Sequence, residues 1–259
     1  MMLINNKVVY NMALLTCNHK SEKLGKAVAL TIIVPDNPKK EKLRVLYLLH
    51  GLSDDCSAWT RYTSIERYMR QNGDTVVVMP DGQKSFYSDM VYGDKYYSYI
   101  TEELPEYLKT IFNISGKRED TYIAGLSMGG YGAFKIALSK PQNYAAAASF
   151  SGVLDVVPHM KEAGEWSELG TAIMGQNANP EKSGANLFYL LENGVSPKPR
   201  LLQMCGTEDF LYEDNKKFKN EIEKLDFEYE YEEFPGEHNW DFWDKCIRKA
   251  IKFFNIENE

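Results

Sequence analysis

A Gly-x-Ser-x-Gly pattern at Gly125, Ser127 and Gly129 constrains the fold of this chain more than any other feature. Residues 121–124 before it have the composition of a short buried strand, and residues 128–140 after it predict a helix. A serine at a sharp strand-to-helix turn is held with its hydroxyl exposed, and glycines on both sides let the backbone pass. We therefore predict a nucleophile at Ser127. The alternative is a serine in a glycine-rich turn that only packs the helix on the sheet.

Elsewhere the chain alternates between apolar strand patterns and amphipathic helices. This order predicts an α/β fold, with a mainly parallel central sheet and helices on both faces. Residues 8–15 and 26–34 predict an antiparallel hairpin at one edge of the sheet, because polar residues and Gly25 separate two β-branched runs. Further predicted strands span 43–49, 75–79, 144–150, 201–205 and 227–231, and further predicted helices span 59–70, 96–112, 212–225 and 240–254.

Residues 153–198 interrupt this alternation of strands and helices. We predict that they form a cap-like insertion over the substrate pocket, because binding residues tend to lie on loops above a rigid scaffold. A chain of 259 residues, 44% of them hydrophobic, has the size and the core of one α/β domain. Residues 1–259 are therefore predicted to form a single domain.

A serine nucleophile needs a general base, and the base needs a carboxylate that orients it. Of the four histidines, His238 follows a predicted strand and is the candidate base; the alternative is a surface histidine that caps the last helix. Asp209 follows the preceding strand, but spacing alone does not separate it from Glu208, Glu213 and Asp214. The order serine, acid, histidine is that of α/β-hydrolases, and open α/β sheets assemble their sites at the carboxyl ends of the strands.

Acyl chemistry through a tetrahedral intermediate also needs two donors for the developing oxyanion, commonly backbone N–H groups. One predicted donor is the N–H of Met128, the residue after the nucleophile. The other is the N–H of Leu52, which follows His50 and Gly51 at the end of a predicted strand. The alternative for this dipeptide is a glycine turn with a hydrogen-bonded histidine.

Aromatic residues are frequent near the predicted carboxyl edge of the sheet. Trp59 and Tyr87 lie in loops after strands and are the candidate substrate contacts. The alternative is that they belong to the core, as most aromatic residues do.

Composition excludes several classes of partner. A formal net charge of −7, without a cluster of lysine and arginine, argues against nucleic acid. No run approaches the roughly 18 apolar residues of a spanning helix, so no membrane partner is expected. No phosphate loop, dinucleotide fingerprint or metal-ligand cluster is present, so neither a cofactor nor a metal is expected. The four cysteines are far apart in the sequence, which favours reduced thiols and a cytoplasmic protein.

Several segments together resemble the bacterial tributyrin esterase family, within the esterase D group of α/β-hydrolases that also contains S-formylglutathione hydrolases and feruloyl esterases. The resemblance is carried by residues 45–51 with Trp59, residues 124–132, residues 205–212, and His238 with Trp240. It implies an α/β-hydrolase fold and a catalytic triad of Ser127, Asp209 and His238. It also implies a cytoplasmic serine carboxylesterase for small-molecule esters with short acyl chains, acetyl to butyryl, and often a homo-oligomer.

Other functions on the same scaffold remain open from the sequence. Within the hydrolases they are a feruloyl or acetylxylan esterase, a thioesterase of the S-formylglutathione type, and acyl transfer to an alcohol. Outside the enzymes, the alternative is a catalytically silent binding protein, since a fold does not determine a function.

Overall fold

The computed structural model describes residues 2–4, 7–9, 11–38, 40–70, 72–161 and 164–256. Within these ranges, Met2–Ile4 (β1) and Lys7–Val9 (β2) pair as a separate antiparallel ribbon. The main sheet comprises Met12–Ser21 (β3), Lys26–Pro35 (β4), Arg44–Leu49 (β5), Thr75–Pro80 (β6), Thr121–Leu126 (β7), Ala146–Phe150 (β8), Arg200–Gly206 (β9) and Tyr229–Phe234 (β10).

Across the main sheet the strand order is β10-β9-β8-β7-β5-β6-β4-β3. Strands β5 to β10 run parallel to one another, whereas β4 pairs antiparallel with both β6 and β3. Every residue of β6 and of β7 is buried, as expected for parallel strands that are covered on both faces. A mainly parallel sheet with an antiparallel hairpin at one edge confirms the predicted fold class.

Helices cover both faces of the sheet. Their bounds are Ala58–Tyr62 (α1), Ile65–Met69 (α2), Tyr96–Ser98 (α3), Leu104–Ile111 (α4), Met128–Ser139 (α5), Val156–Lys161 (α6), Glu165–Met174 (α7), Leu187–Glu192 (α8), Tyr212–Ile222 (α9) and Trp240–Phe253 (α10). Side chains of α1, α2 and α10 belong to the core on one face, and those of α4, α5, α8 and α9 belong to the core on the other. None of the helices in the described ranges is long and apolar enough to cross a membrane.

The edge hairpin begins later than the sequence pattern indicates. Strand β3 runs from Met12 to Ser21 and turns into β4 at Gly25, whose φ of +67° suits glycine. The second half of β3 is polar because the outer face of an edge strand meets solvent, so it lacks the apolar signal of a strand. Val8 and Val9, which were expected to begin this strand, pair with β1 instead.

The predicted helix 59–70 is divided into α1 and α2. Thr63 between them takes an extended conformation. Its hydroxyl donates to the carbonyl oxygen of Trp59 and accepts from the N–H of Ile65. Such local side-chain hydrogen bonds compete with the helix, which is why it breaks at this threonine.

The predicted helix 96–112 is also divided. It consists of α3, a π-helical turn over Tyr99–Glu103, and α4. Pro105 has no N–H to donate, so regular helical hydrogen bonding is interrupted just before it. The other predicted elements are confirmed with bounds shifted by up to three residues.

Candidate active site

Ser127 lies at the turn between β7 and α5, with a φ of +51° and a ψ of −119°. This backbone conformation is strained for a residue with a side chain. The Ser127 N–H donates to the Phe150 carbonyl oxygen (2.9 Å), which ties the turn to β8. A Cβ at Gly125 would lie 2.4 Å from the Gly129 carbonyl oxygen, and one at Gly129 would lie 2.5 Å from the Leu49 carbonyl oxygen. Both glycines are therefore required by close backbone contacts.

Ser127, His238 and Asp209 meet at the carboxyl edge of the sheet. Asp209 lies just after β9, and His238 lies between β10 and α10. Ser127 Oγ is 3.0 Å from His238 Nε2, and His238 Nδ1 is 2.9 Å from Asp209 Oδ2 and 3.1 Å from Oδ1. Because an ionised carboxylate only accepts hydrogen bonds, Nδ1 carries the ring proton and Nε2 can accept the serine proton. This arrangement can generate a serine alkoxide.

Burial fixes the acid end of this arrangement. The Asp209 side chain is 0% exposed, whereas 18% of the His238 side chain is exposed. Asp209 Oδ1 also accepts from the N–H of Leu211 (2.8 Å). The carboxylate therefore has a fixed orientation, and through it the imidazole ring is held facing Ser127.

The other three acids that the sequence left open have surroundings that do not include His238. Glu208 is exposed, and its carboxylate accepts a backbone N–H of the loop at residue 236. Glu213 is exposed in the first turn of α9. Asp214 lies 2.6 Å from His159 Nε2. Of the four candidates, Asp209 is the one whose carboxylate contacts His238.

Leu52 and Met128, the predicted oxyanion donors, both line the cavity that contains Ser127. Met128 is the first residue of α5, so its N–H has no partner within the helix. Within the described ranges, neither N–H donates to another protein group. Two free N–H groups beside the serine suit an oxygen on which negative charge develops, and the amino end of α5 adds a favourable dipole.

The cavity at Ser127 has a volume of about 420 Å³, and four aromatic side chains form part of its wall. Phe210 is 70% exposed, and its ring centroid lies 4.6 Å from that of His238. The ring of Trp243 meets the same histidine edge-on at 4.9 Å. Trp240 and Trp166 complete the aromatic lining, the latter from helix α7.

None of these four aromatic residues was predicted to line the pocket, although Trp240 is among the residues that carry the family resemblance. Phe210 could have been found from its position directly after the candidate acid. Trp243 lies one turn after Trp240 in α10, but that spacing equally indicates core packing. For Trp166, the sequence indicated only that its interval, residues 153–198, would cap the pocket.

One charged side chain joins this apolar wall. Asp54 lines the cavity, and its partial burial raises the pKa of its carboxyl group. In the described part of the chain, no lysine or arginine lines the cavity. The site therefore suits a neutral molecule better than an anion.

Trp59 and Tyr87, the two predicted substrate contacts, do not line this cavity and are fully buried. Trp59 Nε1 donates to the Leu49 carbonyl oxygen (3.1 Å), and the Tyr87 hydroxyl donates to the His50 carbonyl oxygen (3.0 Å). Their loop positions suggested access to substrate, but both side chains point into the core. A buried indole N–H or phenol hydroxyl needs a hydrogen-bond partner, and the two backbone carbonyls provide it. We therefore withdraw their assignment as direct substrate contacts.

Two further features of the described chain can be compared with this site. In the ranges that the structure describes, no three His, Cys, Asp or Glu side chains are grouped to hold a metal ion. A larger cavity of about 650 Å³ lies between α8 and α9, but its described lining contains no serine, histidine or cysteine.

The sheet and the strained serine at its carboxyl edge define a serine hydrolase with the α/β-hydrolase fold. Residues 21–254 match the family model described as putative esterase, so the chain belongs to this esterase family. It is therefore a serine carboxylic ester hydrolase.

Individual relatives agree with this family. The chain is 31% identical to the acetyl esterase of Caldicellulosiruptor saccharolyticus, over 94% of this chain and 98% of that protein. It is 36% identical to FphF, a fluorophosphonate-binding serine hydrolase of Staphylococcus aureus, with a TM-score of 0.85 over 96% of this chain and 99% of that one. The S-formylglutathione hydrolase FrmB of the same organism is also 36% identical, with a TM-score of 0.82 over 94% of this chain and 99% of that one.

Proposed function

We propose that this esterase hydrolyses short-chain acyl esters, acetyl to butyryl, through an acyl-enzyme on Ser127. His238 takes the hydroxyl proton as Ser127 Oγ attacks the ester carbonyl carbon, and it then gives that proton to the departing alcohol. Water, deprotonated by the same imidazole, then attacks the acyl-enzyme carbonyl carbon. The bond to Ser127 Oγ breaks, the imidazolium returns the proton to Oγ, and the carboxylic acid leaves. Asp209 keeps the imidazole in the productive tautomer and stabilises the imidazolium.

The hydrogen-bonded series from Ser127 Oγ through His238 to the buried Asp209 carboxylate carries this proposal. The N–H groups of Leu52 and Met128 are its oxyanion donors, because both lack a protein acceptor among the described residues and both line the same cavity. A catalytically silent protein would have no reason to keep this geometry.

Short acyl groups fit the size of the site. A cavity of about 420 Å³ lies at the lower end of the range for small-molecule pockets, about 300–1,000 Å³. We propose that residues 153–198 cap it within a single domain of residues 1–259, since Trp166 of that interval lines its wall. The relative described as an acetyl esterase supports the same acyl range.

The alternatives within the class differ in the charge and shape of the leaving group. A glutathione thioester carries carboxylates, for which the described lining provides no cation, although the similarity to FrmB keeps this substrate in the test. Feruloyl or acetylxylan esters would place a ring against Phe210 or Trp240. We favour simple acyl esters because the lining combines apolar rings with a single carboxylate.

We also propose, from the sequence, which partners the protein has and where it acts. A small-molecule ester is the expected partner, in a protein that acts in the cytoplasm without nucleic acid or membrane. The four cysteines are free thiols, which agrees with a reducing compartment. The family resemblance implies a homo-oligomer, and analytical ultracentrifugation would measure the number of subunits.

A rate profile over nitrophenyl acetate, butyrate and octanoate, methyl ferulate and S-formylglutathione tests the proposal. Acetate and butyrate should be turned over fastest, and Ser127→Ala should be inactive. The matched control is Ser139→Ala, which removes a serine hydroxyl at the far end of the same helix and should keep full activity. Fastest turnover of ferulate or of S-formylglutathione would reject the short-chain assignment, and an active Ser127→Ala would reject the mechanism.

A further inference from the structure

Three consecutive backbone carbonyl groups, at the last residue of β5 and the two residues after it, each accept a hydrogen bond from a buried side chain. Trp59 Nε1 donates to the Leu49 carbonyl oxygen at 3.1 Å. The Tyr87 hydroxyl donates to the His50 carbonyl oxygen at 3.0 Å. Nδ1 of the His50 ring lies 2.7 Å from the Gly51 carbonyl oxygen. All three side chains are almost completely buried, so none of them contacts a substrate directly. We call Trp59, Tyr87 and the His50 ring the backbone clamp.

The tautomer of His50 follows from its two partners. Its Nε2 lies 2.8 Å from the N–H of Gly82, and a backbone N–H can only donate. Nε2 therefore carries no proton, so Nδ1 carries it and donates to the Gly51 carbonyl oxygen. The Asp81 carboxylate is farther from Nε2, at 3.5 Å, and accepts the N–H of Gln83. With both ring nitrogens engaged, the imidazole cannot turn.

The His50 bond sets the direction of the proposed oxyanion donor, and the Tyr87 and Trp59 bonds hold the two peptide units that precede it. The Gly51 carbonyl and the Leu52 N–H belong to one planar peptide unit, so fixing the carbonyl fixes the N–H on the opposite side. The first turn of α5 packs directly on the same segment, since a Cβ at Gly129 would lie 2.5 Å and 2.6 Å from the Leu49 and His50 carbonyl oxygens. The strand end and the nucleophile turn are thus held in one arrangement.

The loop that carries Tyr87 has an unfavourable backbone conformation and is held by several contacts. Phe86 and Tyr87 have φ values of +49° and +48°, which residues with side chains rarely adopt. Lys135 Nζ donates to the Phe86 carbonyl oxygen (3.0 Å) and to Ser88 Oγ (2.6 Å), on both sides of Tyr87. Gly132 leaves room for the ring, since a Cβ there would lie 2.4 Å from Tyr87 Cδ2. Strain held by several groups in this way is typical of functional sites.

We propose that Trp59, Tyr87 and His50 are positioning residues that align the Leu52 N–H with the oxyanion of the reaction. The inference rests on the proposed function, in which that N–H is an oxyanion donor. Misalignment of an oxyanion donor weakens binding of the transition state and not of the ester. A purely structural role would instead change stability and leave the kinetic constants alone.

Tyr87→Phe tests this directly, because it removes the clamp hydroxyl and keeps the ring that packs on Gly132. Its matched control is Tyr122→Phe, which removes a tyrosine hydroxyl that donates to the backbone carbonyl of Glu119, also at 3.0 Å, at the opposite end of the sheet. For nitrophenyl butyrate, kcat of Tyr87→Phe should fall about tenfold, less than the roughly 10²–10³-fold loss when a whole oxyanion donor is removed. KM should stay within about twofold, as for an interaction made only in the transition state.

A transition-state mimic gives a second measurement that a structural role would not change. Affinity for a trifluoromethyl ketone, which forms a tetrahedral oxyanion on the serine, should fall by the same factor as kcat, while inhibition by butyrate should be unchanged. If Tyr87→Phe does not fold, Trp59→Phe removes the donor to the Leu49 carbonyl, and the same results are expected. Kinetic constants and ketone affinity equal to those of Tyr122→Phe would overturn the clamp while leaving the esterase intact. A wild-type protein without esterase activity would overturn the proposed function and the clamp with it.

Discussion

Replacing Lys135 by methionine should change how the free energy of unfolding depends on pH. The side chain of Lys135 is buried in α5, with 3% of the residue exposed. Its Nζ donates to two oxygens of the loop at residues 86–88 and lies 5.2 Å and 5.6 Å from the ring centroids of Tyr131 and Tyr97. Among the described residues no carboxylate contacts Nζ, so desolvation lowers the pKa of Lys135 to about 7, with partial compensation from Asp89.

The sign of the effect follows from the two pKa values of Lys135. Its folded pKa is about 7 and its unfolded value is 10.5, so between them the unfolded chain binds more protons than the folded one. The free energy of unfolding therefore rises with pH in this window, by at most about 1.4 kcal/mol per pH unit. Between pH 7 and pH 9, titration of this one group contributes an increase of about 2 kcal/mol. Cysteine thiols and tyrosine phenols also titrate in this range, but wild type and Lys135→Met both contain them. Their contributions therefore cancel when the two free energies of unfolding are subtracted.

Urea unfolding followed by circular dichroism at pH 7, 8 and 9 measures this difference. Wild type should gain about 2 kcal/mol relative to Lys135→Met over that range, whatever the two stabilities are at pH 7. Lys252→Met, which changes an exposed lysine of α10 in the same way, should follow wild type. Parallel pH profiles for wild type and Lys135→Met would refute the argument that this ammonium is desolvated.

Three further substitutions test the site. Asp209→Asn should lower kcat on nitrophenyl butyrate by about 10⁴-fold, as in other triads, because the amide stabilises the wrong tautomer of His238; a loss below tenfold would contradict this. Gly129→Ala should reduce the free energy of unfolding, measured in urea, by about 1–3 kcal/mol or more, because the added Cβ would collide with backbone atoms. Gly184→Ala, whose Cβ would have no atom within 4 Å, should be as stable as wild type, and equal stabilities of the two variants would refute the close contact at Gly129. Phe210→Ala should leave the melting temperature unchanged, since the ring is 70% exposed, and lower kcat/KM for butyrate about fivefold; an unchanged kcat/KM would exclude contact with substrate.

The parts of the fold that were predictable are those with a local cause. The strand, turn and helix around Ser127 follow from glycine spacing and apolar runs, and the parallel sheet follows from the alternation of elements. Strand β3 was misplaced because an edge strand with a polar outer face has no apolar pattern. The break at Thr63 depends on one hydroxyl that bonds its own backbone, which periodicity does not register.

For the candidate site, the sequence predicted which residues meet but not the direction of the side chains in loops. Chain order indicated that His238 and an acid after β9 would approach Ser127, and the family resemblance identified that acid as Asp209. The structure brings the three residues within hydrogen-bond distance. The direction of a side chain in a loop is decided by tertiary partners, so Trp59 and Tyr87 were expected in the pocket and instead bind backbone carbonyls behind it. Residues that reach the pocket from distant segments, such as Trp166, carry no local signal.

Covalent labelling with a fluorophosphonate, followed by peptide mass mapping, tests the central claim most directly. Wild type should take up one label at Ser127, Ser139→Ala should label equally, and folded Ser127→Ala should not label. His238→Ala should label far more slowly, since the hydroxyl then lacks its base. A folded wild-type protein that does not label, or that labels at another residue, would contradict the assignment of Ser127 as the nucleophile.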